Sequence, residues 1–411
     1  MRFPVVHRQL AEVLVARAAR YPIVTVTGPR QSGKTTLCRS CFPDKPWISL
    51  ENPDLRTEAS EDPRGLIARL PDGAILDEVQ RVPELLSYLQ GDVDRLALDD
   101  VARNRPAKWV VTGSNNLLLL KSVTQSLAGR TAVLNLLPFG LDELPSEYLA
   151  ARSWTQVAHQ GGYPAPLHRD IPIDVWLGDY VATYVDRDVR DVLRIGDLST
   201  FEKFVRLCAG RSGQLVNTSA LGADAGITHS TVKAWLSVLE TAYLTFTLSP
   251  WAANLTTREV RSPKLYFWDT GLMCWLLGIR RHEDVATHPL RGAIFENLIV
   301  SELMKTDLHQ GRRPAWWFYR DAKGLEVDAV RIEGSATSGI ALEIKSGATL
   351  ASDMADGLRV LVERCARGAT GIALTGAVVY GGEAAGRIGG FEAVGWRGVG
   401  VVVGAKSISR G

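Results

Sequence analysis

Residues Gly28–Thr36 read GPRQSGKTT and satisfy the pattern G-x-x-x-x-G-K-[ST] at every fixed position. The apolar run Ile23-Val24-Thr25-Val26-Thr27 before it reads as a buried strand, and Thr35-Thr36-Leu37-Cys38-Arg39 after it as the start of a helix. A phosphate loop needs that strand–loop–helix context. Gly28, Arg30, Gln31, Ser32 and Gly33 supply backbone N–H groups that close around phosphate oxygens, Pro29 shapes the same loop without a donor of its own, and the helix N-terminus at Lys34, Thr35 and Thr36 adds a positive dipole end. Lys34 would reach the β- and γ-phosphates, and the Thr35 hydroxyl would ligate Mg²⁺. ATP and Mg are therefore the expected ligands.

Working outward, Arg8–Arg20 has helical spacing of Leu10, Val13, Leu14 and Ala18. Trp47–Leu50, Ala74–Glu78, Trp109–Ser114 and Thr131–Leu137 read as further strands, with an amphipathic helix over Pro83–Leu98. Strands alternating with helices imply a doubly wound, mostly parallel α/β sheet with its ligand at the strands' carboxyl ends. The run Ile75-Leu76-Asp77-Glu78 goes from apolar to paired acids. Asp77 is placed to hold the metal and Glu78 to deprotonate the attacking water. Ser114 and Asn115, ending the next strand, either sense the γ-phosphate or cap the helix that follows. Arg130, just before the last strand, either stabilises charge on a neighbouring subunit's nucleotide, which requires a homo-oligomer, or is a surface arginine in an ion pair.

Composition narrows the class without naming the partner. The 411 residues suffice for several domains, and the net charge of +2 argues neither for nor against nucleic acid. Five scattered cysteines without metal-ligand spacing suit a reducing compartment. No stretch reads as a signal peptide or membrane span, so a cytoplasmic protein without a membrane partner is expected.

Further along, Trp176–Leu193 reads as a long helix with Asp179, Asp186, Arg187, Asp188, Arg190 and Asp191 on a mixed-charge face. Helices over Phe201–Cys208, Thr218–Ala225 and His229–Thr241, then strands over Tyr243–Trp251 and Lys264–Trp268, follow the winged-helix order. Thr231 and Lys233 on the second helix of the motif, with Arg258, Arg261 and Lys264 in the hairpin loop, are the candidate DNA contacts; the alternative is a protein-packing module. A helix over Arg291–Lys305 carries Glu296, a strand over Leu325–Ile332 carries Asp328, and the next, Gly339–Lys345, carries Glu343-Ile344-Lys345. Residues two apart on a strand share a face, so Glu343 and Lys345 point together. This set resembles the PD-(D/E)xK nuclease site: Glu296, Asp328 and Glu343 as metal ligands, Lys345 assisting the attacking water. The alternative is a retained fold that cleaves nothing. The Asp353–Cys365 helix and strands over Ile372–Tyr380 and Gly398–Val403 would complete that sheet.

Taken in order, GPRQSGKTTL, AILDEVQ, VVTGSNN, SLAGRTAVLNLLPFGLDEL, YVATYVDRDVRDVL, SPKLYFWDTGLMCWLLG and GAIFENLIVSELMK resemble prokaryotic AAA-type ATPases, distant relatives of the archaeal ATPases, that carry a C-terminal domain of unknown function. The resemblance spans nearly the whole chain. It implies a P-loop ATPase domain over residues 1–145, a helical linker or lid over 146–195, a winged helix over 196–270 and a restriction-endonuclease-like α/β domain over 271–411. The expected function is ATP hydrolysis coupled to DNA binding or remodelling. The alternatives are an ATP-regulated metal-dependent DNA nuclease and a nucleotide-switched protein-binding module.

Overall fold

In the computed structural model, which describes residues 6–97, 107–114, 126–185, 198–251, 262–332, 337–369 and 371–404, β1 (Ile23–Thr27) is buried at every position. Its neighbours explain why. β2 (Trp47–Ser49), β3 (Ile75–Asp77), β4 (Trp109–Gly113) and β5 (Thr131–Asn135) assemble in the order β2-β3-β4-β1-β5, with every pairing parallel. A parallel sheet covered on both faces needs apolar residues on both. Alternate residues accordingly join different clusters. Val24, Val26, Ile75 and Val110 pack with Leu10, Leu14 and Leu37 from the helices Leu10–Ala18 and Lys34–Cys41. Ile23, Leu76, Trp109 and Val111 pack with Leu85, Leu86 and Leu89 of the helix Leu85–Ala97. The register places Thr27 opposite both Gly113 and Asn135, so β1 delivers the phosphate loop at the carboxyl edge of the sheet.

Beyond the sheet, Trp176 and Tyr180 stack with centroids 4.9 Å apart, Tyr163 lies tilted against each at 5.0 Å, and the Tyr163 and Tyr180 hydroxyls lie 3.0 Å apart. The expected long helix from Trp176 is helical to Tyr180 and continues as a wider turn over Val181–Val185; Asp186, Arg187, Asp188, Arg190 and Asp191 lie outside the described residues. Helices Leu198–Ala209, Thr218–Ala225 and His229–Thr241 precede an antiparallel ribbon, β6 (Thr245–Leu248) with β7 (Lys264–Phe267), to which Leu215 adds a bridge.

The last part of the chain is a mixed six-stranded sheet in the order β12-β13-β11-β10-β9-β8. Its strands are β8 (Trp316–Arg320), β9 (Glu326–Ile332), β10 (Ser338–Lys345), β11 (Ala373–Tyr380), β12 (Gly386–Ile388) and β13 (Phe391–Gly395). The stretch Gly398–Val403, expected as a strand, is a turn and helix ending at Gly404, and Phe391–Gly395 is the strand instead. A short valine run fits a buried strand and a buried helix equally, and here Val399 and Val402 pack at helical spacing. The helix Arg291–His309 runs through the centre, buried on most sides. A single apolar cluster around it extends from Leu137 to Val399, through the segments before and after residues 195 and 270.

Candidate functional site

The phosphate loop is built on backbone that only particular residues adopt. Gly28 and Gly33 have φ of 148° and 96°, and a Cβ at Gly28 would collide with the Leu136 carbonyl. Gly33 starts the helix Lys34–Cys41. Lys34 is buried, and its Nζ donates to the carbonyls of Gly28 (3.1 Å) and Pro29 (2.8 Å). Burial pulls its ammonium below the usual lysine range, against the pull of Glu78 and Asp77. A lysine held on weak neutral acceptors is ready to exchange them for phosphate oxygens. Ser32 Oγ is fully buried and has no partner among the described residues, a polar atom that a phosphate group would satisfy.

The side chains of Thr35 and Asp77 are equally well defined. Thr35 Oγ1 donates to both oxygens of Asp77 at 3.0 Å, and Asp77 also accepts from Thr112 Oγ1 and, at 3.4 Å, from Trp47 Nε1. A threonine hydroxyl against a buried carboxylate at the helix start is a donor set that fits Mg²⁺. Glu78 follows with φ of 56°, a left-handed conformation unusual for a side chain of its size. Its Oε2 accepts from Ser114 Oγ (2.8 Å) and Gln80 Nε2, and its N–H donates to Thr112 Oγ1 at 3.3 Å. Such strain survives where surrounding bonds over-determine it, and it concentrates at functional positions. Asn115 lies outside the described residues. Arg130 forms a bidentate pair with Asp94, Nε–Oδ1 2.6 Å and Nη2–Oδ2 3.0 Å. It must leave that pair before it can reach any nucleotide.

Two residues that the sequence reading used only to bound a helix and a strand, Arg8 and Tyr243, grip the loop from both ends. Arg8 is buried: Nη1 donates to the Ser32 carbonyl (2.8 Å), Nη2 to the Leu137 carbonyl (2.6 Å) and Nε to Glu143 (2.9 Å). Glu143 in turn lies 3.2 Å from His309 Nδ1, at the end of the central helix. Burial raises the Glu143 carboxyl, but His309 and Arg8 override it and hold it well below the ordinary carboxylate range. At the other end, the hydroxyls of Tyr243 and Thr27 converge on Asn135 Oδ1 (2.6 and 2.8 Å) and lie 2.7 Å apart. Tyr243 follows the helix His229–Thr241 and itself has φ of 56°. The residue before Gly28 and the residue before Gly33 are thus bonded into the middle and C-terminal parts of the chain.

In the middle segment, Thr231 bonds Thr228 through both its N–H (3.2 Å) and its hydroxyl (2.8 Å), an N-cap, while Lys233 is exposed. Arg258 and Arg261 lie outside the described residues. Lys264 corrects the expectation of a loop cation: it sits inside β7 at 1% exposure and cannot reach a nucleic acid. Its Nζ lies 2.9 Å from Glu296 and 2.5 Å from Glu326.

The structure does bring Glu296, Asp328, Glu343 and Lys345 into one neighbourhood. Lys345 Nζ is 2.8 Å from Glu343 and 3.8 Å from Asp328. Burial, then the charge of Asp328, pushes the Glu343 carboxyl up to about 8. The expected metal shell of Glu296, Asp328 and Glu343 is not formed. Among the described residues no three His, Cys, Asp or Glu side chains are grouped to hold a metal ion, and Lys264 and Lys345 are paired with Glu296 and Glu343.

Three family models match successive parts of the chain. Residues 20–145 match the family model described as an AAA domain. Residues 151–283 and 291–397 match two domains of unknown function, DUF8612 and DUF4143. The uncharacterized proteins Rv2008c of Mycobacterium tuberculosis and Mb2031c of Mycobacterium bovis are each 31% identical over 302 residues, 72% of this chain and 66% of theirs. This chain therefore spans just under two thirds of their length. Among solved structures, the Walker-type ATPase PABY2304 of Pyrococcus abyssi aligns with TM-score 0.44 at 16% identity, over 65% of this chain and 94% of that one. A RuvB mutant of Thermotoga maritima aligns with TM-score 0.26 at 20% identity, over 58% and 86%. Among the described residues no helix is long and apolar enough to cross a membrane. With the loop geometry of Gly28–Thr36 beside the match over residues 20–145, the amino-terminal part of the chain is similar to an AAA domain.

Proposed function

We propose that the protein hydrolyses ATP at Gly28–Thr36 and passes the change in loop occupancy to its middle and C-terminal parts, which engage DNA. The observation that carries this reading is the constellation of Lys34, Thr35, Asp77 and Glu78 at the carboxyl edge of one parallel sheet. Lys34 leaves the Gly28 and Pro29 carbonyls and takes the β- and γ-phosphate oxygens. Thr35 and Asp77 would hold Mg²⁺, which when bound would neutralise charge at the phosphates. Glu78, aimed by Ser114, accepts a proton from the attacking water. Arg8 and Tyr243 connect this event to the rest of the chain.

The DNA part of the proposal rests on the helix order of Thr218–Ala225 and His229–Thr241 followed by the β6–β7 ribbon, the order of a winged helix, with Lys233 exposed on the second helix. Steady-state phosphate release tests the core of the reading. Lys34→Ala and Glu78→Gln are expected to abolish it, Glu78→Gln while still binding ATP. Hydrolysis at the wild-type rate in both variants would end the proposal.

A further inference from the structure

The carboxylates of the C-terminal sheet are gathered from three elements, and the cation among them comes from a fourth. Glu296 stands on the central helix, Glu326 and Asp328 on β9, and Glu343 on β10. Lys264 enters from β7, the strand that closes the middle segment, with its side chain 2% exposed. Its Nζ lies 2.9 Å from Glu296 Oε1 and 2.5 Å from Glu326 Oε1. Tyr266, two residues along the same strand, donates to the same Glu296 oxygen at 2.7 Å. Arg320 takes the other oxygen of Glu326 at 3.1 Å. Asp328 Oδ2 accepts the Ile344 N–H at 2.8 Å, and Lys345 covers Glu343 Oε2 at 2.8 Å.

A hard divalent cation needs several oxygen lone pairs free to converge on one point, at a spacing of about 2.0–2.1 Å for Mg²⁺. Here both oxygens of Glu326 and one oxygen each of Glu296, Asp328 and Glu343 are turned toward ammonium, guanidinium, phenol and amide donors. Lys264 occupies Glu296 and Glu326, and an ammonium there repels a dication brought up to the adjoining Asp328 and Glu343. A lysine placed at 1% exposure from outside the sheet is also not a mobile surface group that swings away at no cost. The donor set therefore does not fit a bound metal while Lys264 is in place, in agreement with the lack of a grouped metal shell among the described residues.

We propose that Lys264 is the resident cation of this carboxylate centre: it holds the place of a divalent metal, keeps metal out, and ties β7 to the C-terminal sheet as an ion-pair joint. The centre then acts as a fastener between the middle and last parts of the chain, and the C-terminal sheet has no metal-dependent hydrolysis of its own.

The test is Mn²⁺ binding, read by the loss of free-ion electron paramagnetic resonance signal, to the full chain without nucleotide. Asp77→Asn is present throughout to remove the metal position of the phosphate loop. With Lys264 intact, no Mn²⁺ is expected to bind at the C-terminal centre. Lys264→Met is expected to gain one bound Mn²⁺, to show a rise in unfolding temperature with Mn²⁺, and to lose both when Asp328→Asn is added. Mn²⁺ bound by the protein with Lys264 intact and released by Asp328→Asn or Glu343→Gln would overturn the proposal, as would a folded Lys264→Met protein that binds none. Should Lys264→Met fail to fold, the measurement with Lys264 intact decides by itself.

Discussion

Replacing Arg8 by methionine tests whether the phosphate loop is held in shape from outside the nucleotide site. Methionine keeps an apolar stem against the Phe139 ring, which the guanidinium now covers at 4.7 Å, and removes three donors. Cutting one side of a buried ion pair costs about 3–5 kcal/mol. Glu143 is not left bare, since it retains His309 at 3.2 Å and the N–H groups of Gln9 and Gly140, each at 3.0 Å. The loss therefore falls at the lower end, about 3 kcal/mol, with the orphaned Ser32 and Leu137 carbonyls contributing part of it. The effect on binding has a separate origin. A trans peptide points its C=O and N–H in opposite directions, so anchoring the Ser32 carbonyl on Arg8 turns the Gly33 N–H away from Arg8. Without the anchor that N–H is no longer pre-set, and ATP affinity is expected to fall roughly tenfold, about 1.4 kcal/mol. Denaturant unfolding followed on the amino-terminal transition reads the first effect, and isothermal titration with ATP reads the second. An Arg8→Met protein with wild-type midpoint and wild-type affinity would refute the reasoning.

Two further outcomes follow from the same geometry. Tyr243→Phe removes one hydroxyl from the Thr27–Asn135 contact while Thr27 keeps Asn135 at 2.8 Å, so stability should fall by only about 1 kcal/mol. Yet ATP should no longer slow hydrogen exchange in the helix His229–Thr241, and undiminished protection there would discount Tyr243 as a link. If Arg130 leaves Asp94 to serve a neighbouring subunit, turnover per chain should rise with protein concentration in the wild type and stay flat in Arg130→Ala; a rate independent of concentration in both argues that the pair is only structural.

The loop, Asp77 and Glu78 were legible because their chemistry is local. Glycines at the positive-φ positions, a lysine beside a threonine and acids after an apolar strand are each specified within a few residues. Arg8 and Tyr243 carry no such signature. Each makes its bonds to residues more than twenty positions away, and nothing in their immediate neighbours sets them apart. Lys264 was misread for a related reason. Near Arg258 and Arg261 it counts as part of a basic loop, although Leu265, Tyr266 and Phe267 beside it already mark a buried strand. The valines after Gly398 were ambiguous because a short apolar run satisfies helix and strand alike.

By itself the sequence determined that a parallel sheet would present the Gly28–Thr36 loop with Asp77 and Glu78 at its carboxyl edge, since strand period, glycine placement and helix start are short-range properties. Only the tertiary structure decided what those parts are attached to. Burial brought Arg8, Glu143 and His309 together across 301 positions. It also set Lys264 among carboxylates drawn from two other elements, the helix Arg291–His309 and β9. A buried charge must find a partner wherever the packed chain offers one. That requirement turned an arginine near the amino terminus into a brace for the loop, and a hairpin lysine into the cation of an acidic centre.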